Sequence, residues 1–297
     1  MKVLVIGANG QLGSYLLNAL KKEHEVTPLY HNLDNQEKVN IEDYGKIKEI
    51  IEKYSPDAVI NTSAFHQVDV CETKEGREKA FLINADAVKN LAEICKERNI
   101  ILVHISTDYV FDGKKREHYT EDDFPNPISN YGKSKLEGES YIRKIPKHFL
   151  IRTSSLYGKK GSGQKGSNII LTLINASQKG EVKAVHDNRI TPSYAKDVAE
   201  KISELIKTDK YGLYHLSNSG ECSIYELTEE ICKLEGLSPK MVKINFLETN
   251  SIPGKAQRPQ YSQLNSINLK KAGLSAMRAW QEALGDYLKE GRKENGV

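Results

Sequence analysis

Only four of the 297 residues are cysteine: Cys71, Cys95, Cys222 and Cys232. None forms a CxxC pair, so neither a zinc site nor a disulfide framework is expected, and scattered thiols of this kind suit a reducing cytoplasm. Long apolar runs are also missing. Nothing approaches the roughly 20 residues that span a bilayer, and no contact with a membrane is expected. The opening MKVLVIGANG has too short an apolar run for a signal peptide and leads directly into glycine turn chemistry. Neither sign of charge dominates, with 43 Lys and Arg against 40 Asp and Glu and a net charge of +3. A nucleic-acid partner would call for a clustered basic face; the short run Lys114, Lys115, Arg116 reads instead as a solvated loop. His104, His118, His186 and His215 lack metal-ligand spacing and read as core or surface residues, so no metal ligands are assigned. No internal repeat or low-complexity tract stands out. What remains is an ordinary globular composition, 28% charged and 38% hydrophobic. The chain is long enough for one large domain or two lobes.

The first half alternates short β-rich runs with helical patterns. VLVIG (3–7), EVTPLY (25–30), DAVINTSA (57–64), IILVHISTD (100–108) and HFLIRTS (148–154) read as strands. Helices are predicted over 10–23, 44–54, 79–98 and 130–144, the second with Ile47, Ile50, Ile51 and Tyr54 on one face. Such alternation predicts an α/β fold: a Rossmann-like, doubly wound parallel sheet. Residues 158–167, GKKGSGQKGS, read as a loop beside a site. Shorter elements follow, including helices over 195–207, 223–235 and 277–290. The expected division is a dinucleotide-binding domain over 1–158, with returns near 186–218 and 262–290, and a smaller, interleaved substrate lobe over most of 159–297. The single Trp280 is expected to be packed. The helix carrying it fits a dimer contact or packing on the sheet equally well.

Gly7, Gly10 and Gly13 form GxxGxxG between the first strand and the first helix. In that context the glycines permit a tight turn whose N–H groups and helix N-terminus face a pyrophosphate. The end of the second strand reads Tyr30-His31-Asn32, with Asp34 beyond. No carboxylate is placed for a ribose hydroxyl and no Arg for a 2′-phosphate, so both NAD and NADP remain open.

A second constellation lies farther on. The fourth strand ends in Ser106-Thr107-Asp108-Tyr109, where a doubly wound sheet gathers ligands. Tyr131 and Lys135 then stand one helical turn apart. A phenol ionises near 10, and a neighbouring ammonium lowers that value. Such a tyrosine gives its proton to a carbonyl oxygen while hydride reaches carbon, and Thr107 is placed to hydrogen-bond the same oxygen. Lys135 would also hold the nicotinamide ribose.

The motifs GANGQLG, VDVCE, STDYVFDG, NPISNYGKSKLEGE, LIRTSSLYG, TPSYAKDVAE and RPQYSQLN occur in this order. With them the chain resembles the extended short-chain dehydrogenase/reductase family over nearly its whole length. The resemblance implies NAD(P)H-dependent reduction of a nucleotide-linked 4-keto-6-deoxy sugar, with Thr107, Tyr131 and Lys135 as the catalytic set. It places Gly7, Asn9, Gly10, Gln11, Leu12 and Gly13 along the pyrophosphate. Ser63 and Ala64 would run along the cofactor, Ser106 near the nicotinamide, and His31, Asn40 and Ile41 toward the adenine end. Asp108, Tyr109 and Arg258 would hold the substrate, Arg258 at its diphosphate, while Asp69 and Glu72 would be structural or interface residues. Departures from the pattern fall at His66 and Ser155, both beside the expected sugar site, at Asn40-Ile41-Glu42-Asp43 near the expected adenine site, and at Ile190. A homodimer is implied; a Mg2+ at the dimer interface is known in the family, but no acidic cluster here compels one. Two alternatives stand beside this reading: a nucleotide-sugar epimerase or dehydratase of the same superfamily, and a non-catalytic regulatory subunit like that of methionine adenosyltransferase. The Asp108-Tyr109 pair after Thr107 argues against dehydration, and the intact Thr, Tyr and Lys argue against an inert subunit.

Overall fold

The computed structural model describes residues 1–31, 39–159 and 168–294. Asn32 and Asp34, and all of the glycine- and lysine-rich run beyond Lys159, lie outside them. The first half builds β1 (Lys2–Ile6), α1 (Gln11–Leu20), β2 (Glu25–Leu29), α2 (Tyr44–Tyr54), β3 (Ala58–Asn61), α3 (Lys74–Phe81), α4 (Ala87–Glu97), β4 (Ile101–Thr107), α5 (Asn130–Ile142) and β5 (His148–Thr153). The second half adds β6 (Leu156–Tyr157), α6 (Ile169–Ser177), β7 (Glu181–Val185), β8 (Ser193–Tyr194), α7 (Ala195–Leu205) and β9 (Gly212–His215). It ends with α8 (Ile224–Glu235), β10 (Lys240–Ile244), α9 (Phe246–Asn250), α10 (Asn268–Lys271) and α11 (Trp280–Glu294).

Six strands form one sheet in the order β2-β1-β3-β4-β5-β9, and every pairing is parallel. Both faces are covered, which is why β1 is apolar at consecutive positions instead of alternating. Val3 and Val5 point into the core shared with α1 and α7, whereas Leu4 and Ile6 point into the core under α2 and α4. The chain reverses its direction of winding between β1 and β3. Ligands of such sheets bind at that switch point, outside the carboxyl ends of the strands.

The stretch 79–98, predicted as helical, lies in one continuous helical run from Lys74 to Glu97 that a π turn interrupts. Between α3 and α4 the residues Leu82–Asp86 widen into a single π turn. Asn84 sits there, fully buried, and serves three partners. Its Oδ1 accepts from the Phe65 amide, and its Nδ2 donates to the Phe65 carbonyl and to Ser134 Oγ. The turn also lets α5 approach closely: a Cβ on Gly138 would stand 2.2 Å from the Asn84 carbonyl oxygen. A π turn of this kind re-aims one side chain within an otherwise helical run.

Beyond β5, β7 and β10 pair in a separate two-stranded parallel sheet packed on by α6 and α8, while β9 returns to the edge of the main sheet beside β5. The last helix, α11, lies in the same core as α1 and α7, with Trp280, Ala283, Leu284 and Tyr287 buried. A carboxylate oxygen of Glu290 accepts from the hydroxyls of both Tyr15 and Tyr194, tying the last helix to the first.

Candidate active site

The glycine turn meets the requirements of a phosphate cradle. Gly7 has φ +81°, a left-handed conformation that favours glycine. A Cβ on Gly13 would lie 2.2 Å from the Gly7 carbonyl oxygen, so the helix begins hard against the strand. Gly10 caps α1 without any side-chain hydrogen bond, and no acidic residue occupies the first turn. The helix N-terminus therefore keeps its partial positive charge for an anion. Gln11 is buried, and its Nε2 has no partner among the described residues. An orphaned donor at a helix start, beside a cradle that any Cβ would fill, fits the pyrophosphate of a dinucleotide. Gly13→Ala is expected to weaken dinucleotide binding about tenfold or more, a loss of roughly 1.4 kcal/mol, measurable by titration calorimetry with NADPH and NADH.

The rest of the expected cofactor set is spread along this edge. Asn9 and Leu12 flank Gly10, with Leu12 buried in the core. The Ser63 amide donates to Asn61 Oδ1 at 3.0 Å, and Ala64 continues from it. His31 is exposed at the end of β2, Asn40 is exposed and bonded to Glu42, and Ile41 is buried. Ser106 is turned inward, its hydroxyl donating to Glu139 Oε1 at 2.6 Å.

At the end of β4 the structure gathers Thr107, Tyr131 and Tyr109. The Thr107 hydroxyl lies near the Tyr131 phenol and draws its ionisation downward. It donates to Asp108 Oδ1 at 3.0 Å and accepts from the Tyr109 amide at 3.2 Å. The rings of Tyr109 and Tyr131 meet edge to face, with centroids 5.6 Å apart. Helix α5 is held in place to deliver Tyr131: Ser129 caps it through the Gly132 amide, and Glu72 accepts from both the amide and the side chain of Asn130. Glu72 thus serves as an anchor of this helix.

The expected acidification of Tyr131 is not what its surroundings in the protein produce. Burial pushes the phenol well above its ordinary value, the nearby Thr107 hydroxyl pulls it back only in part, and Asp108 and Tyr109 push in the same direction as burial. Lys135 is absent from these influences because its ammonium end is directed elsewhere. Nζ donates to the Ile105 carbonyl at 2.6 Å and lies 3.3 Å from His104 Nε2. Burial pulls Lys135 down to about 8, and Glu139 opposes that pull.

The expected substrate set divides. Asp108 is buried, with Ser154 donating to its Oδ2 at 2.8 Å and Ser262 a further partner, so its carboxylate steadies Thr107 from behind. Tyr109 remains half-buried at the opening; burial moves its phenol up to about 12, while the positive charge of Arg258 opposes the shift. Arg258 is half-exposed beside it, held by Asp69 Oδ1 at 2.9 Å. Asp69 also accepts from the Ala256 amide, so it braces this arginine. His66 is exposed near Ala64. Ser155 adopts φ 44°, a left-handed conformation rare outside glycine, at the turn after β5. Ile190, at the other departure, is buried and pairs with Cys222 through both backbone groups.

Several residues around the site escaped the sequence reading. His104, taken as an ordinary core or surface histidine, is fully buried but lies between Asn61 and Lys135. Glu139 and Arg152, both fully buried, form a bidentate ion pair beneath Ser106, with distances of 2.9 and 2.6 Å. The visible signal was the strand alternation, which puts His104 and Ser106 on the same face of β4, and the helical spacing that puts Lys135 and Glu139 on one face of α5. The four cysteines are unpaired and buried. Among the described residues no group of three or more His, Cys, Asp or Glu could hold a metal ion, and no helix is long and apolar enough to cross a membrane.

Comparison with known proteins adds to this geometry. The family model described as "RmlD substrate binding domain" matches residues 1–293. The spore coat polysaccharide biosynthesis protein SpsK of Bacillus subtilis is 39% identical over 97% of this chain and 97% of its own length. A crystal structure of a dTDP-4-dehydrorhamnose reductase from Clostridium acetobutylicum shares 37% identity, covers 98% of this chain and all of its own, and superposes with a TM-score of 0.89. That of a dTDP-4-dehydrorhamnose reductase from Bacillus anthracis, solved in complex with NADP, shares 32% identity with a TM-score of 0.87, covering 97% of this chain and 98% of its own.

Proposed function

This chain belongs to the family of the RmlD substrate binding domain, and from that premise we propose that it is an NAD(P)H-dependent reductase of a dTDP-linked 4-keto-6-deoxy sugar, with dTDP-4-dehydro-L-rhamnose as substrate and dTDP-L-rhamnose as product. The observation that carries the reading is the juxtaposition of Tyr131 with Thr107 and Tyr109 at the carboxyl end of β4, on the edge that also presents the glycine cradle. When bound, the reduced nicotinamide supplies the hydride that reaches C4 of the sugar. The chain's own residues do the rest. Thr107 positions the carbonyl oxygen, and Tyr131 passes its proton to that oxygen as negative charge develops there. Lys135 lies one helical turn away and serves as the neighbouring proton reservoir. Asp108 keeps Thr107 in place. Arg258, the half-exposed cation beside Tyr109, fits the substrate diphosphate.

The expected division of labour is that the sheet and α1 bind the dinucleotide and the β7–β10 lobe covers the sugar nucleotide. We place the enzyme in the cytoplasm, a setting that the four unpaired, buried thiols support, and as a homodimer, for which sedimentation velocity is the measurement. The reaction itself is tested by following nicotinamide absorbance with enzymatically made dTDP-4-dehydro-L-rhamnose, with NADH and NADPH in parallel. One equivalent of reduced cofactor should be consumed per sugar. Conversion of sugar with no net loss of reduced cofactor would identify an epimerase or dehydratase instead, and inertness with both cofactors would refute catalysis on this sugar.

A further inference from the structure

The Lys135 amine does not stand alone. Behind it lies a buried pair, Asn61 on β3 and His104 on β4, and hydrogen-bond accounting fixes how that pair is protonated. The Ser63 amide donates to Asn61 Oδ1 at 3.0 Å, so the oxygen of the side-chain amide is committed. The other end, Nδ2, can only donate, and it lies 3.2 Å from His104 Nδ1. His104 Nδ1 must therefore accept, and a neutral imidazole then carries its proton on Nε2. That Nε2 lies 3.3 Å from Lys135 Nζ. The remaining contact of Nζ, the Ile105 carbonyl at 2.6 Å, takes a proton from lysine in either charge state. An ammonium would meet the His104 N–H donor to donor, whereas a neutral amine accepts from it.

We propose that His104, oriented by Asn61, is a positioning residue that presents Nε2–H to Lys135 and thereby favours the neutral amine. The inference rests on the reductase reading for its catalytic meaning: a lysine poised near ambient pH takes and returns a proton, where an ordinary lysine stays charged. The surroundings agree. Burial pulls Lys135 down to about 8 against the opposing charge of Glu139. Burial, with Lys135 second, holds His104 well below the ordinary imidazole value, so the ring is neutral. The buried charged side chains on α5 and β5 are Lys135, Glu139 and Arg152, the last committed to Glu139, while the charged side chains of α4 are exposed. Helix α4 contributes apolar side chains and the Cys95 thiol, which burial raises to about 12 and keeps neutral.

Asn61→Asp is the decisive variant because it preserves shape. One carboxylate oxygen still accepts from Ser63, but the other now requires a proton on His104 Nδ1, which turns the bare Nε2 toward Lys135. Nitrogen-15 spectra of the histidine rings and carbon-13 titration of the Lys135 ε-methylene are read on the full-length protein without added cofactor. In the unmodified protein the His104 proton is expected on Nε2, with Lys135 titrating near 8. In Asn61→Asp the proton should move to Nδ1 and the Lys135 midpoint rise by about one pH unit or more, through the changed dipole and the added charge together. A proton on Nδ1 in the unmodified protein overturns the proposal even if the variant fails to fold, and so does an unmoved Lys135 midpoint once the tautomer has switched. Neither readout needs turnover. An Nε2–H tautomer in a protein inert toward keto sugars would refute the reductase reading and uphold the assignment of the pair.

Discussion

Tyr131→Phe should lower kcat about a thousandfold, within the hundred- to ten-thousandfold range typical of a positioned proton donor, while leaving dinucleotide affinity within about twofold. The substitution removes one oxygen and keeps the ring, so the edge-to-face contact with Tyr109 survives. The cradle at Gly7 to Gly13 lies on other elements and is untouched. Steady-state turnover and calorimetric titration with NADPH separate the two effects, and a variant retaining more than a tenth of its turnover would rule out Tyr131 as the donor. The pH dependence carries a sign. Burial, first among the influences on Tyr131, raises the phenol above its ordinary value, so the donor form is present below that raised value and lost only as pH climbs through it. The loss of activity assigned to Tyr131 should therefore lie on the alkaline side of the ordinary phenol range, and binding that brings a cation to the site should draw it downward.

The second large effect concerns stability. Glu139→Ala is expected to destabilise the fold by about 3–5 kcal/mol, the usual result of stripping one partner from a buried ion pair. Neither Arg152 nor Glu139 has any exposed side-chain surface. Removal of the carboxylate would leave a guanidinium uncompensated, with Nη1 already lacking a hydrogen-bond partner among the described residues, and Ser106 without its acceptor. Burial alone would raise Glu139, but the hydrogen bonds and charge of Arg152, with Ser106 and Arg143 assisting, bring it below the ordinary carboxylate value. A depressed acid contributes stability above the unfolded value of about 4.3 and loses it as pH falls through the folded one. Urea unfolding at neutral and acid pH should show the variant far less stable than the parent at pH 7, with the gap narrowing in acid. A deficit below about 1 kcal/mol at neutral pH would mean that the pair does not hold β5 against α5.

Much of this protein is written locally. Apolar runs at strand length, separated by helical periodicity, determine the parallel sheet, because a strand buried on both faces needs apolar residues at every position. GxxGxxG between a strand and a helix determines the cradle, because only glycine tolerates both the turn and the close helix start. Ser106 to Tyr109 and the Tyr131-Lys135 spacing announce the reactive edge. Tertiary structure decided what depends on partners distant in sequence. The π turn at Leu82–Asp86 exists because Asn84 must reach Phe65 and Ser134, and no helical pattern records that demand. Tyr131 is raised because burial outweighs the influence of the Thr107 hydroxyl, and burial is a property of the whole fold. The side chain of Lys135 faces His104 because β4 packs under α5. Spacing along the chain brings groups onto a common face, but the proton each one holds is set by what the fold packs behind it.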